Sequence, residues 1–98
     1  MAEVQYAEML KRLLGRIGED NDINFSKYSS VKSEKGGYGS KEWTYETGDS
    51  FQVALCRWVG SRKICREAPS PTPIVTVEEE SAFENVLREI VYLLKQEI

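Results

Sequence analysis

SFQVALCRWVGSRKIC, residues 50–65, decides how this chain is read. Residues 50–59 are rich in β-branched, aromatic and aliphatic side chains and make the strongest strand signal in the sequence. Gly60-Ser61 follows, and a short strand runs on through Ile64 and Cys65. Glycine at the first central position marks a two-residue type II′ hairpin turn, because that position needs a positive φ. The turn sets a register. Val59 faces Arg62, Trp58 faces Lys63, Arg57 faces Ile64 and Cys56 faces Cys65. Pairs alternate along a hairpin, so Cys56–Cys65 falls on a narrow, non-hydrogen-bonded pair, where Cα atoms approach to about 4.5 Å. That is within reach of a disulfide. Closing so short a loop contributes roughly 2.5 kcal/mol in the chain-entropy account.

Working outward, KEWTYET (41–47) is a second β-prone run, with Gly48-Asp49 between it and the central strand. Read as another two-residue turn, Gly48-Asp49 pairs Thr47 with Ser50, Tyr45 with Gln52 and Trp43 with Ala54. One sheet face then carries Phe51, Val53, Leu55, Val59 and Ile64. The other carries Trp43, Tyr45, Ala54, Cys56, Trp58 and Cys65, with Lys41 and Lys63 at its margin. A one-residue slip at either turn would scramble the sorting. INFSKYSSVKS (23–33) reads as an edge strand, KGGYGS (35–40) as a loop, and IVTV (74–77) as one further short strand. Pro69, Pro71 and Pro73 stiffen the connector.

Two amphipathic helices flank the sheet. Residues 3–17 place Tyr6, Leu10, Leu13, Leu14 and Ile17 on one face and Glu8, Arg12, Arg16 and Glu19 opposite. Gly18 is the expected residue just past its end. Gly15, inside it, would allow a close helix–sheet approach. Residues 79–97 carry a stripe of Phe83, Val86, Leu87, Ile90, Val91 and Leu94. Glu78, Glu79 and Glu80 suit the positive N-terminus, and Lys95 suits the last turn. Thr76-x-x-Glu79 and Ser81-x-x-Glu84 are competing capping boxes. The expected architecture is a single α+β domain over 1–98: N-terminal helix, three- to four-stranded antiparallel sheet with a short fifth strand as an option, C-terminal helix. The aliphatic face is assigned to the helices, which leaves the aromatic face open; the reverse arrangement makes the aromatic face the core.

Composition narrows the function classes. The 98 residues are 41% hydrophobic and carry a net charge of −3, so wholesale binding to nucleic acid or anionic membrane is not the default. No stretch reaches the roughly 18 apolar residues of a membrane span, and the N-terminus lacks a signal-peptide core. The expected compartment is the cytoplasm, where a mesophile keeps thiols reduced, so Cys56 and Cys65 are expected as two thiols packed side by side; a disulfide between them, as in an intracellular hyperthermophile, is the alternative. With no histidine, the commonest general base is missing, and two cysteines are too few for a structural zinc site. Glu42 and Glu46 lie roughly 13 Å apart along a strand, too far for a carboxylate dyad. No cofactor, metal or small-molecule substrate is indicated, and the chain reads as a non-enzymatic protein.

What remains is a binding surface. Arg57, Arg62, Lys63 and Arg66 stand in a stretch, 50–66, that has no acid. Charged residues on a terminal hairpin discourage edge-to-edge aggregation; they also suit an acidic partner or phosphate. Trp43, Tyr45 and Trp58, with Lys41, Arg57, Arg62, Lys63 and Arg66 around them, are the expected partner-binding residues. The expected partner is another protein or a second copy of the chain, and nucleic acid is the alternative. The element order resembles that of double-stranded-RNA-binding domains. Those domains set lysines at the start of their last helix, where this chain has Glu78-Glu79-Glu80, and that resemblance is not adopted.

Overall fold

In a computed structural model, described over residues 2–25, 43–47, 53–69 and 76–96, the chain forms a helix, three strands and a second helix. These are α1 (Ala2–Asn21), β1 (Trp43–Thr47), β2 (Val53–Val59), β3 (Arg62–Glu67) and α2 (Val77–Gln96). The strands make one antiparallel sheet in the order β1-β2-β3. The α+β architecture is the expected one. The expected edge strand over 23–33, the loop 35–40, Lys41, the turn at 48–49, Phe51, and residues 74–75 of the further strand fall wholly or partly outside the described residues.

α1 buries Met9, Leu10, Leu13, Leu14 and Ile17, and α2 buries Phe83, Leu87, Ile90, Val91 and Leu94. Both stripes recur at helical spacing, so each helix offers one apolar side to the sheet. α1 outruns its expected end. Gly18 is not the residue past the helix but one within its last turn. The Ile23 N–H donates to the Gly18 carbonyl at 2.7 Å and the Asp22 N–H to the Glu19 carbonyl at 3.4 Å. Asp22 takes φ 58°, so it occupies the left-handed closing position usually given to glycine. Gly18 is needed for a different reason: a Cβ there would collide with the Ile23 carbonyl and press on Phe25. Gly15 is exposed and has nothing within 4 Å of a would-be Cβ, so it serves no close helix–sheet approach.

α2 begins earlier than expected. Thr76 Oγ1 accepts the Glu79 N–H at 3.0 Å, which makes Thr76 the N-cap. Ser81 and Glu84, the competing cap, lie inside the helix. The two helices run side by side in the same direction. Arg12 meets Glu80 at 2.6 Å, Arg16 meets Glu84 at 2.9 Å, and Arg88 meets Asp20 at 2.8 Å. Arg88 also bonds Glu84 at 2.7 Å. Its hydrogen bonds to Glu84 and then Asp20 hold its ionisation above the usual arginine range. Each such exposed pair contributes about 0–1 kcal/mol. Their spacing keeps the helices in step.

The β2–β3 register is the expected one, Val59↔Arg62 through Cys56↔Cys65. Gly60 takes φ 65° while Ser61 does not enter the left-handed region, as a type II′ turn demands. The β1–β2 register differs. Trp43 faces Arg57, Tyr45 faces Leu55 and Thr47 faces Val53, so the connection spans 48–52 rather than two residues. The shift is odd, and an odd shift turns every β1 side chain to the other face. Trp43 and Tyr45 therefore join Val53 and Leu55 against the helices and do not share a face with Trp58. The energetics favour this. Two large aromatic side chains gain several kcal/mol on burial. Lengthening the loop from two residues to five costs about 0.8 kcal/mol.

Candidate docking surface

The inner face of the sheet is structural throughout. Trp43 is 7% and Tyr45 2% exposed. Trp43 meets Phe25 edge-on at 6.5 Å between ring centroids. Arg57, expected at a basic rim, lies on this face too. Its guanidinium sits 5.4 Å from the Trp43 ring centroid and donates from Nη1 to the Leu94 and Lys95 carbonyls at 3.1 and 3.4 Å. A cation there satisfies the last carbonyls of α2 and complements its negative end. Arg66, opposite Leu55, is half-buried on the same face.

The outer face is different. It carries Thr44 and Cys56 at its centre, both buried, then Trp58, Lys63 and Cys65, all half-buried. Cys56 and Cys65 are joined as a disulfide, with Cα atoms 4.0 Å apart. This corrects the expectation of reduced thiols: the narrow antiparallel pair brings both sulfurs together. The next outward pair is Trp58↔Lys63, and beyond it lie the exposed Gly60, Ser61 and Arg62. The outer face of the hairpin thus holds one tryptophan and one cation, Lys63, on a strand pair stapled one step behind them, while Arg62, opposite Val59, extends the tip on the other face. Of the expected binding residues, the structure gathers Trp58, Arg62 and Lys63 at the tip and sends Trp43, Tyr45, Arg57 and Arg66 inward.

One apolar surface was missed in the sequence. Tyr92 is 62% and Leu93 42% exposed on α2. The signal was available: on the helical wheel Tyr92 stands opposite the stripe of Phe83, Leu87, Ile90, Val91 and Leu94, beside Asn85 and Glu89. Tyr6, by contrast, packs its ring 6.1 Å from Phe83, and burial raises its phenol well above the ordinary tyrosine range, so it is no ready base. Among the described residues no three cysteines or carboxylates converge as metal ligands, and neither helix is long and apolar enough to cross a membrane. No family model matches the chain, and no curated protein or solved structure matches it either.

Proposed function

We propose that this chain is a small non-enzymatic docking module that binds an acidic protein surface through the tip of its β2–β3 hairpin. One observation carries the reading: Trp58 and Lys63 are a cross-strand pair on the face turned away from the helices, with Arg62 exposed at the turn just beyond them, where it pairs with Val59 on the other face. Tryptophan is enriched among binding hot spots because it covers a large area at low rotamer cost. The cations steer an acidic partner and fix its orientation. The disulfide holds the strand pair, so little ordering remains to be done on binding.

Polyglutamate is a suitable probe of the surface. In a Trp43→Phe background, where Trp58 is the sole tryptophan, titration at low salt is expected to shift its emission. Trp58→Ala, assayed through ultrafiltration of the probe, is expected to weaken retention about tenfold or more. An unshifted spectrum overturns the reading. Tighter binding of a single-stranded oligonucleotide, with affinity falling steeply as salt rises, replaces it with nucleic-acid binding.

A further inference from the structure

The two sulfurs of the hairpin sit in unlike surroundings. Among the described strands Cys56 belongs to the central one and is fully buried; Cys65 belongs to β3, at the edge of those strands, and is half-buried. A thiolate attacks one sulfur of a disulfide and expels the other, so access decides which is struck. Of the two residues Cys65 is the less buried, which makes its sulfur the one expected to be struck. Lys63 stands two residues away on the same strand and face, with Glu67 two residues away on the other side, while Arg66 turns to the inner face. The Lys63 charge favours the approach of an anionic thiol from its side.

The leaving sulfur is the harder problem. A thiolate expelled at Cys56 forms inside the protein, where burial disfavours its charge. Thr44 faces Cys56 across the β1–β2 ladder. It is 1% exposed, and its Oγ1 has no hydrogen-bond partner among the described residues. Cβ atoms of facing residues in an antiparallel pair lie about 4.5–5.5 Å apart, close enough for a threonine hydroxyl to meet the opposite sulfur. The hydroxyl therefore has a proton to share, and the departing thiolate is an acceptor.

We propose that the Cys56–Cys65 disulfide is a thiol-exchange site with a fixed direction: a small anionic thiol of the glutathione type attacks Cys65, Cys56 departs, and the Thr44 hydroxyl stabilises it. In the first step the bond between the incoming sulfur and Cys65 Sγ forms while the Cys65–Cys56 bond breaks. The electron pair of that bond goes to Cys56 Sγ, which takes a proton from solvent as the charge is quenched. In the second step another thiolate attacks the incoming sulfur and expels Cys65. Two thiols are oxidised to one small disulfide, and the protein disulfide is reduced to two thiols. Thr44 is a positioning and hydrogen-bonding residue here, and the reacting atoms are the sulfurs alone. This inference does not depend on the docking role.

Peptide mapping of the full chain tests the direction. The protein is treated with glutathione without denaturant and quenched with an alkylating agent. Arg57, Arg62 and Lys63 separate the two cysteines, so trypsin releases them on different peptides. Glutathione is expected on Cys65 and the alkyl group on Cys56, in excess of about tenfold. The rate is expected to rise in proportion to glutathione. Equal labelling of the two cysteines, or a rate independent of glutathione, would mean that the bond is reached only through unfolding, and either result overturns the proposal.

Two variants test Thr44. Thr44→Ala and Thr44→Ser both lose the methyl group, but only serine keeps the hydroxyl. Thr44→Ala is expected to slow cleavage about tenfold, as befits a lost hydrogen bond to a charged group, while Thr44→Ser stays near the wild-type rate. Looser packing alone would speed both variants, so an alanine variant as fast as serine overturns the role of the hydroxyl. Lys63→Gln gives the electrostatic arm. It is expected to slow glutathione several-fold and to leave the neutral thiol 2-mercaptoethanol unaffected; equal slowing of both removes the charge argument.

Discussion

Trp43 and Trp58 lie in neighbouring strands of one sheet and face opposite ways. Trp43 is enclosed by Phe25 and capped by the Arg57 guanidinium; Trp58 is half-buried beside Lys63, one step from the disulfide. Nothing in the two local sequences, EWTY and CRWV, makes one indole a core residue and leaves the other half-buried on the outer face. The parity of the 48–52 connection decides it. Had that connection held an even number of residues with the same strands, Trp43 would have joined Trp58 outside and a polar β1 face would have met the helices. An aromatic residue's role in a small sheet is thus set by a loop it does not belong to.

The sharpest way to break this contrast is to truncate both rings. Trp43→Ala is expected to cost about 3–5 kcal/mol in urea unfolding, the usual range for an aromatic removed from a packed core. Trp58→Ala is expected to cost about 1 kcal/mol, because its ring is only partly withdrawn from water. Equal losses would mean that the two faces are buried alike and that Trp58 is not available to a partner.

The same contrast explains what could be read from the sequence. Gly60-Ser61 carries its own conformational requirement, a positive φ at its first residue, so the turn, the β2–β3 register and the Cys56–Cys65 juxtaposition followed from local chemistry. The two helical stripes were legible for a similar reason, since Leu13, Ile17, Leu87 and Leu94 repeat at a period that only a helix satisfies. Gly48-Asp49 carries an equally good turn signal and misled, because the burial of Trp43 and Tyr45 outweighs what a tight turn gains. The end of α1 misled in the same manner. Gly18 was legible as a special position, but its task, leaving room for the Ile23 carbonyl, depends on a chain reversal that Asp22 makes further along. Arg57 could not be assigned from its neighbours either. Its partners, the carbonyls of Leu94 and Lys95, are distant in sequence and become visible only once α2 is laid against the sheet.

Arg57 and Arg62 sharpen the comparison at smaller amplitude. Both are cations of the hairpin, and both belonged to the expected basic rim. Arg57→Leu removes hydrogen bonds from a charged donor to the end of α2 and is expected to cost roughly 1.5–3 kcal/mol. Amide exchange should accelerate most in the last turn of α2. Arg62→Leu, at an exposed tip position, is expected to stay within about 0.5 kcal/mol of the wild type. Should Arg62→Leu prove as costly as Arg57→Leu, the tip would be a structural element and not a presented surface.

A small effect of opposite sign is expected at the centre of the outer face. A buried hydroxyl without a partner, such as that of Thr44, has lost its water and gained nothing in return. Valine has nearly the same shape, is favoured in strands and carries no polar atom. Thr44→Val is therefore expected to raise stability by up to about 1 kcal/mol. Thr44→Ser is the informative companion, because it keeps the hydroxyl and deletes the methyl group; it is expected to lower stability by about 1 kcal/mol. Thermal unfolding of the two variants beside the wild type, with the disulfide intact, gives the ordering directly. Valine above threonine above serine identifies packing as the reason for a β-branched residue here. Valine below threonine would show that the hydroxyl is held by a partner while the disulfide is closed, and that the outer face owes part of its order to a polar contact at Thr44.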